Sequence, residues 1–445
     1  METHDDLIRR DLAVIWHPCS QMSEYIAGDL PLAPIASGEG AWLVGTDGRR
    51  YLDAISSWWV NLFGHANKYI ASVVAAQAHA LEHCIFAGFT HKQAIRLAER
   101  IIKIAPRGLT KVFFADNGSA AVEVAIKMAF HIFANRGEQR EIIVSLAGGY
   151  HGETLGALAA GDVEIYRETY APLLFKGVRA KSPAIVSEAE ALDDLRRILS
   201  ENKGKVCAVI AEPLVQCAGA MAMFEPSYLC GLRSLCDEFG VLWIADEIAT
   251  GFGRTGAMFA CDLAGVTPDL MTLSKGLTGG FLPLALTLAR AEIYDEFARE
   301  SYGARSFLHS HSYSGNPLAC AAANASLDIF ENRDVIGDNA KLGAAIDRRL
   351  SVLRGFSCVS GVRRRGMIAA FEADFAERGD SLLQGRALTI KIINESLVRG
   401  IILRPLGNTI YIMPPYIITA AEIDLLFDQI EDILKTLENY AAKRS

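Results

Sequence analysis

No stretch of about 18 apolar residues runs unbroken by charge, glycine or proline, so no transmembrane helix is expected in these 445 residues. A basic block is missing as well. The formal charge is −8, from 44 Lys and Arg against 52 Asp and Glu, which argues against electrostatic binding of nucleic acid or anionic lipid. Nine cysteines occur, yet none forms a C-x-x-C pair, so neither a zinc ribbon nor a thioredoxin-like motif is available. Most sit in apolar runs such as KVCAVIAEP at 205–213, where a free cysteine acts as a small hydrophobe, and that usage suits a reducing compartment. The opening METHDDLIRR is polar and acidic, the wrong composition for a signal or transit peptide, and a cytoplasmic location is expected. The sequence holds no internal repeat, low-complexity tract or long linker. What it does hold, 51% apolar residues and 38 glycines without a triplet period, excludes a disordered or collagen-like chain. A chain of this length buries about three-quarters of its unfolded surface, enough for a large core and an enzyme.

Near the start, GAWLVGTDGRRYLDA reads as two strands around the turn Thr46-Asp47-Gly48. Between about 68 and 105 the apolar spacing of three and four predicts helices. Short apolar strands follow, most of them separated by helical segments: KVFFADNGS, EIIVSLAGGYHG, KVCAVIAEPLVQ, GVLWIADEI, DLMTLSKGL and PLALTLAR. The helix AAVEVAIKMAFHIFANRG closes at Gly137. This alternation predicts an α/β fold with a parallel sheet covered on both faces, whose ligands gather at the carboxyl ends of the strands. Beyond a helix near 315–332 the pattern changes to a small α+β unit, with a boundary near 335.

Polar residues at strand ends are therefore the candidates for chemistry. Asp246 and Glu247 follow five apolar residues; such an acid either caps a turn or serves as a dry carboxylate for a buried cation. Lys275 ends another strand among Leu273, Ser274, Gly276 and Leu277. It is either a solvated surface charge or a lysine whose pKa falls by desolvation, making it a nucleophile toward aldehydes. An aspartate on one strand and a lysine on a later one match what pyridoxal phosphate needs. Asp116-Asn117-Gly118-Ser119 opens a helix and either caps it or binds a phosphate with its free N–H groups. Tyr150 in GGYHGET offers an aromatic face to a pyridine ring. Gly251-Phe252-Gly253-Arg254-Thr255-Gly256 fits G-x-G-x-x-G, the fingerprint of a nicotinamide dehydrogenase. However, four residues intervene after the acidic pair and the following segment is a poor helix. His309 and His311 lack the Cys or carboxylate partners of a metal site, and His151-Gly152-Glu153 lacks the downstream P-C-x-x-C of a zinc deaminase.

IADEIATGFGRTG at 244–256, with Lys275 placed 29 residues after Asp246, resembles the signature of the class III aminotransferases of fold type I. IWHP at 15–18, SSWW at 56–59, GSAAVEVAIKMA at 118–129, YHGET at 150–154, GNPLACAAANASL at 315–327 and IYIMPPYII at 410–418 extend the likeness over nearly the whole chain, toward the branch of that family in biotin synthesis. The resemblance implies a large cofactor domain over 65–334, with a mainly parallel sheet covered by helices. It also implies a small α+β domain formed by both termini, 1–64 and 335–445. It implies pyridoxal 5'-phosphate as cofactor, with the amino group of S-adenosylmethionine passed to 8-amino-7-oxononanoate. Lys275 would hold the cofactor and shuttle the proton, Asp246 would pair with the pyridine nitrogen, Gly118 and Ser119 would bind its phosphate, and Tyr150 would stack near the ring. His311 and Ser312 would reach the phosphate of the opposite subunit, which requires a homodimer. Trp58, Tyr150, Lys275, Ser310, Arg404 and Tyr411 would line the substrate pocket, with Arg404 taking a carboxylate bidentately or, otherwise, a surface salt bridge. Two positions depart from the family pattern: Cys19 replaces a tyrosine associated with stacking on the donor's adenine, and Glu153 replaces the acid of Y-H-G-D. Lysine as donor, another ω-aminotransferase, and a non-catalytic regulator (for which an appended helix-turn-helix finds no room) are the alternatives.

Overall fold

The computed structural model describes residues 2–299, 303–375 and 383–442. It divides into two compact units: a continuous one, Tyr69–Ile336, and one drawn from Met1–Lys68 with Gly337–Ser445. No helix among the described residues is long and apolar enough to cross a membrane.

The larger unit is built on a seven-stranded sheet in the order Leu109–Ala115, Ala285–Arg290, Leu270–Leu273, Leu242–Asp246, Val206–Ala211, Ile142–Leu146, Val178–Ala180. The central strands are largely apolar and buried on both faces, as in VCAVIA and LMTL. Adjacent strands from Val178–Ala180 across to Leu270–Leu273 run parallel. Ala285–Arg290 is antiparallel to both of its neighbours. Its local cause is the connection: only a short 3-10 turn, Lys275–Thr278, lies between it and the preceding strand, and a parallel return needs a longer crossover. The three-residue edge strand Val178–Ala180 carries too short a pattern to be read from sequence.

Helices cover this sheet and start where the sequence provides caps. Asn117 accepts the Ala120 N–H at 3.0 Å to open Gly118–Asn135, and Asn316 accepts that of Ala319 at 3.1 Å to open Pro317–Asn332. The first of these helices sinks Val122, Val124, Ala125, Ala129 and Ile132 into the core with Ile210, Ile244 and Leu270.

The smaller unit has two sheets. Ile35–Glu39, Trp42–Gly45 and Arg50–Asp53 form an antiparallel meander that Ile401–Ile402 extends in parallel. The expected turn at Thr46-Asp47-Gly48 is present, with Gly48 at φ +80°. Val359–Arg365, Ile368–Ala373 and Thr409–Ile412 form the second, antiparallel sheet. The closing helix Ala420–Ala442 buries Ile423, Leu426, Phe427, Ile430, Ile433, Leu434 and Leu437, one face at helical spacing.

The G-x-G-x-x-G segment does not take the dinucleotide geometry. It lies in a series of turns, and the next helix, Ala260–Ala264, spans five residues. Glu247 organises this loop from a fully buried position, accepting the N–H groups of Ala260 (2.9 Å) and Cys261 (2.8 Å) and the Thr250 hydroxyl (2.9 Å). Burial pushes its carboxyl from 4.5 up to about 7, against those donors. Between these two values the folded protein keeps a proton that the unfolded chain has lost, so this group's contribution to stability declines as pH rises through the window. Glu247→Gln cannot ionise and is expected to flatten the fall in unfolding free energy between pH 5 and pH 8 by about 1–3 kcal/mol. Urea denaturation of both proteins at the two pH values checks this; an unchanged slope would remove Glu247 as the titrating group.

Candidate active site

Asp246 ends the Leu242–Asp246 strand and is 3% exposed. Its Oδ2 accepts from His151 Nδ1 at 2.7 Å, and its Oδ1 from the Thr272 hydroxyl at 3.1 Å and the Ile248 N–H at 3.2 Å. Thr272 is delivered by sheet register, since it lies opposite Asp246 on the neighbouring parallel strand. Lys275 follows that same strand and opens the short turn Lys275–Thr278 at φ +44°. Burial draws the pKa of its amine below the ordinary lysine value; Cys217, Asp246 and Glu212 oppose the shift and Arg254 adds to it. The two groups thus stand at the carboxyl ends of adjacent parallel strands.

Glu212 sits behind them, fully enclosed. Burial raises its carboxyl to about 7, the nearby Asp246 adds to the rise, and His151 and two backbone donors oppose it. Those donors are the N–H groups of Tyr150 and Cys217, both at 2.9 Å. Tyr150 is therefore fixed by its backbone, while its hydroxyl donates to Glu153 Oε1 at 2.9 Å and its ring meets Tyr166 edge-on at 5.7 Å. The Glu153 N–H in turn donates to Ser119 Oγ at 3.2 Å. At Gly152 a β-carbon would come within 2.2 Å of Ser119 Oγ, and at Gly118 within 3.0 Å of Ile248 Cδ1. Two glycines thus admit the close approach of three loops around the start of one helix.

His151 was weighed by sequence only as part of a zinc-deaminase motif, and Glu212 and Thr272 were not singled out. The available signal for His151 was its place beside Tyr150 after a strand; Thr272 and Glu212 look like ordinary strand and strand-end residues until the register is known. Ser310, His311 and Ser312 lie on an exposed segment. The structure places His311 Nε2 3.5 Å from Asp116 of its own chain, while His309 Nδ1 lies 3.0 Å from Lys127. Among the described residues no group of three or more His, Cys, Asp or Glu is arranged to hold a metal ion.

The remaining predicted residues belong to the smaller unit. Ser56, Ser57, Trp58 and Trp59 all have positive φ, from 45° to 74°, a left-handed turn of residues other than glycine. Each such residue costs on the order of 1–2 kcal/mol. The turn presents Trp58, 40% exposed, and buries Trp59. The Arg404 guanidinium lies 4.9 Å from the Trp58 ring centroid and donates to the Cys19 backbone carbonyl at 2.9 Å. Cys19 and Arg404 are thus brought together through the Cys19 main-chain carbonyl. Tyr411, expected in a pocket wall, is 1% exposed and packs edge-on against Trp59 at 6.0 Å, because it lies on the strand Thr409–Ile412 whose residues are all buried.

Residues 26–434 match the family model for class III aminotransferases. The chain belongs to the class III aminotransferases. It is 43% identical over 444 residues to the adenosylmethionine-8-amino-7-oxononanoate aminotransferase of Helicobacter pylori, covering 98% of this chain and 99% of that protein. The protein of the same name from Geobacter sulfurreducens is 42% identical over 437 residues, with 95% and 96% covered. The crystal structure of the Methanocaldococcus jannaschii protein of that name superposes with a TM-score of 0.92 at 37% identity, over 97% of this chain and 99% of that one. This class III aminotransferase is accordingly an α/β, pyridoxal-phosphate-dependent enzyme, and the residues at the strand ends fit that cofactor. A buried carboxylate faces the strand end beside a lysine of lowered basicity, and the cradle formed by Gly118, Ser119 and Gly152 has no room for a β-carbon at Gly152.

Protein reconstituted with pyridoxal phosphate is expected to be yellow, and borohydride reduction to fix the cofactor to Lys275. Peptide mass mapping checks this; an adduct on another lysine, or none, would defeat the assignment.

Proposed function

We propose that this chain transfers the amino group of S-adenosylmethionine to 8-amino-7-oxononanoate, giving 7,8-diaminononanoate for biotin synthesis, as a cytoplasmic homodimer. The observation that carries the reading is the Asp246 and Lys275 pair on adjacent strand ends, in a chain alike along its length to relatives bearing that activity in their names. Bound pyridoxal phosphate supplies an aldehyde that condenses with amines and a protonated ring that spreads the charge left when a proton is removed.

The chain's own groups then have separate tasks. Lys275 Nζ would hold the aldehyde and, once released, take and return the substrate's α-proton; its lowered pKa leaves a larger uncharged fraction than an ordinary lysine has. Asp246 would keep the pyridine nitrogen protonated, with His151, Thr272 and the Ile248 N–H fixing the carboxylate's orientation. Gly118 and Ser119 would bind the phosphate at the start of the Gly118–Asn135 helix, and Tyr150 would lie along the ring. Arg404 would take a substrate carboxylate, and Trp58 would line the apolar chain.

Support for the homodimer comes from the segment carrying His311 and Ser312. Around it Ile85, Phe89, Leu308 and Tyr313 are 60–66% exposed, an apolar surface of the kind that a second copy covers. His311 and Ser312 would then serve the partner's phosphate. None of the nine cysteines is in a disulfide, which agrees with a reducing cytoplasm.

Asp246→Asn is expected to keep its fold while kcat falls by about 100-fold or more, the scale of a lost preorganised electrostatic contact. Near wild-type turnover in a variant of unchanged melting behaviour would leave Asp246 as a structural cap only. For the donor, Cys19 offers no ring to adenine, a loss of about 1–3 kcal/mol by comparison with base–aromatic stacking. S-adenosylmethionine is still expected to be used, with a lower KM in Cys19→Tyr. Mass spectrometry of products formed from 8-amino-7-oxononanoate with S-adenosylmethionine or with lysine tests this, and amine transfer from lysine alone would overturn it.

A further inference from the structure

Four consecutive left-handed residues do not persist on their own; the surroundings must over-determine them. Here the determinant is Asp53, fully buried at the end of the Arg50–Asp53 strand. Its Oδ1 accepts the Ile55 N–H at 3.2 Å, and its Oδ2 accepts the Ser57 hydroxyl at 2.8 Å and His65 Nε2 at 2.9 Å. The histidine is itself oriented. Asn61 Oδ1 takes the Gly64 N–H at 2.8 Å, so its amide nitrogen faces His65 Nδ1 at 3.2 Å and donates there. That fixes the tautomer: Nδ1 accepts, and Nε2 carries the hydrogen given to Asp53. From the other side the Ser56 hydroxyl donates to the Met413 carbonyl at 2.7 Å. His65 has little freedom to leave, because Gly38 passes so close that a β-carbon there would sit 2.6 Å from His65 Cβ.

We propose that Asp53 and His65 are positioning residues whose hydrogen-bonded chain, Asn61 to His65 to Asp53 to Ser57, sets the left-handed turn that presents Trp58 to Arg404 and so determines affinity for the long, carboxylated acceptor. The proposal rests on the assignment of Trp58 and Arg404 to the acceptor pocket. Asp53 and His65 act through the backbone of Ser57 and its neighbours.

The test compares Asp53→Asn, His65→Ala and His65→Gln. The first two are expected to raise KM for 8-amino-7-oxononanoate tenfold or more, with kcat within threefold of wild type and borohydride trapping at Lys275 intact. His65→Gln keeps a donor toward Asp53 and is expected to restore KM to within threefold. A fall in kcat at unchanged KM, or equal KM in all three variants, would overturn the proposal. Should Asp53→Asn or His65→Ala not fold, Ser57→Ala deletes only the last link, and it must raise KM about threefold or the proposal fails. Wild-type protein that does not turn over this acceptor would defeat the functional assignment instead. In that event acrylamide quenching of the Trp58 emission, taken as the difference from Trp58→Phe, decides the positioning claim. Increased quenching in His65→Ala supports it and unchanged quenching overturns it.

Discussion

A carboxylate taken out of water must be met by donors, or it costs several kcal/mol. Asp246 meets that requirement from three separate places: His151 beyond the Ile142–Leu146 strand, Thr272 on the neighbouring strand, and the backbone just past its own. Each donor commits another part of the molecule. His151 sits between Tyr150, whose N–H is tied to Glu212, and Gly152, which presses on Ser119. Through these links the position of one oxygen pair is transmitted to the aromatic ring and to the helix start that would carry the phosphate. The strand order makes it possible, because only parallel neighbours bring so many strand ends to one edge.

Glu212 and Glu247 show two other ways of tolerating a buried acid. Each accepts two backbone N–H groups, and burial still raises each to about 7. Around neutral pH these groups share their protons between states. Their separate surroundings divide the work: one secures the loop bearing Tyr150, the other the loop of Gly251–Gly256, leaving Asp246 as the acid with side-chain donors on both oxygens.

Much of this was legible in sequence because it is local. The Asn117 cap, the D-G hairpin at Asp47-Gly48, the largely apolar strands and the strand-end acids all carry their cause within a few residues. The strand-end lysine and aspartate were recognisable as a pair by spacing, and their adjacency then followed from register. His151 and Thr272 were not legible, since a histidine or threonine becomes a carboxylate's partner only through pairing between strands far apart in the chain. The left-handed run at Ser56–Trp59 was equally hidden: SSWW contains no glycine, and nothing in its own residues favours positive φ. Its cause lies in Asp53 and His65. Tyr411, which the resemblance implies in the substrate pocket, stands on an all-buried strand with its ring against Trp59.

The smaller unit draws its meander from the first part of the chain and the strand that extends it, Ile401–Ile402, from the last. Contacts of such long sequence separation are slow to form, because loop-closure entropy must be met before any of them is rewarded. The larger unit, Tyr69–Ile336, is continuous and needs nothing from beyond it to complete its sheet. During synthesis it can close on the ribosome while Asp53, Trp58 and the rest of the first 68 residues wait for the strand that will pair with them. The order of assembly is therefore written into the topology, and the N-terminal meander with its exposed backbone edge is the segment that chaperones would have to shield longest.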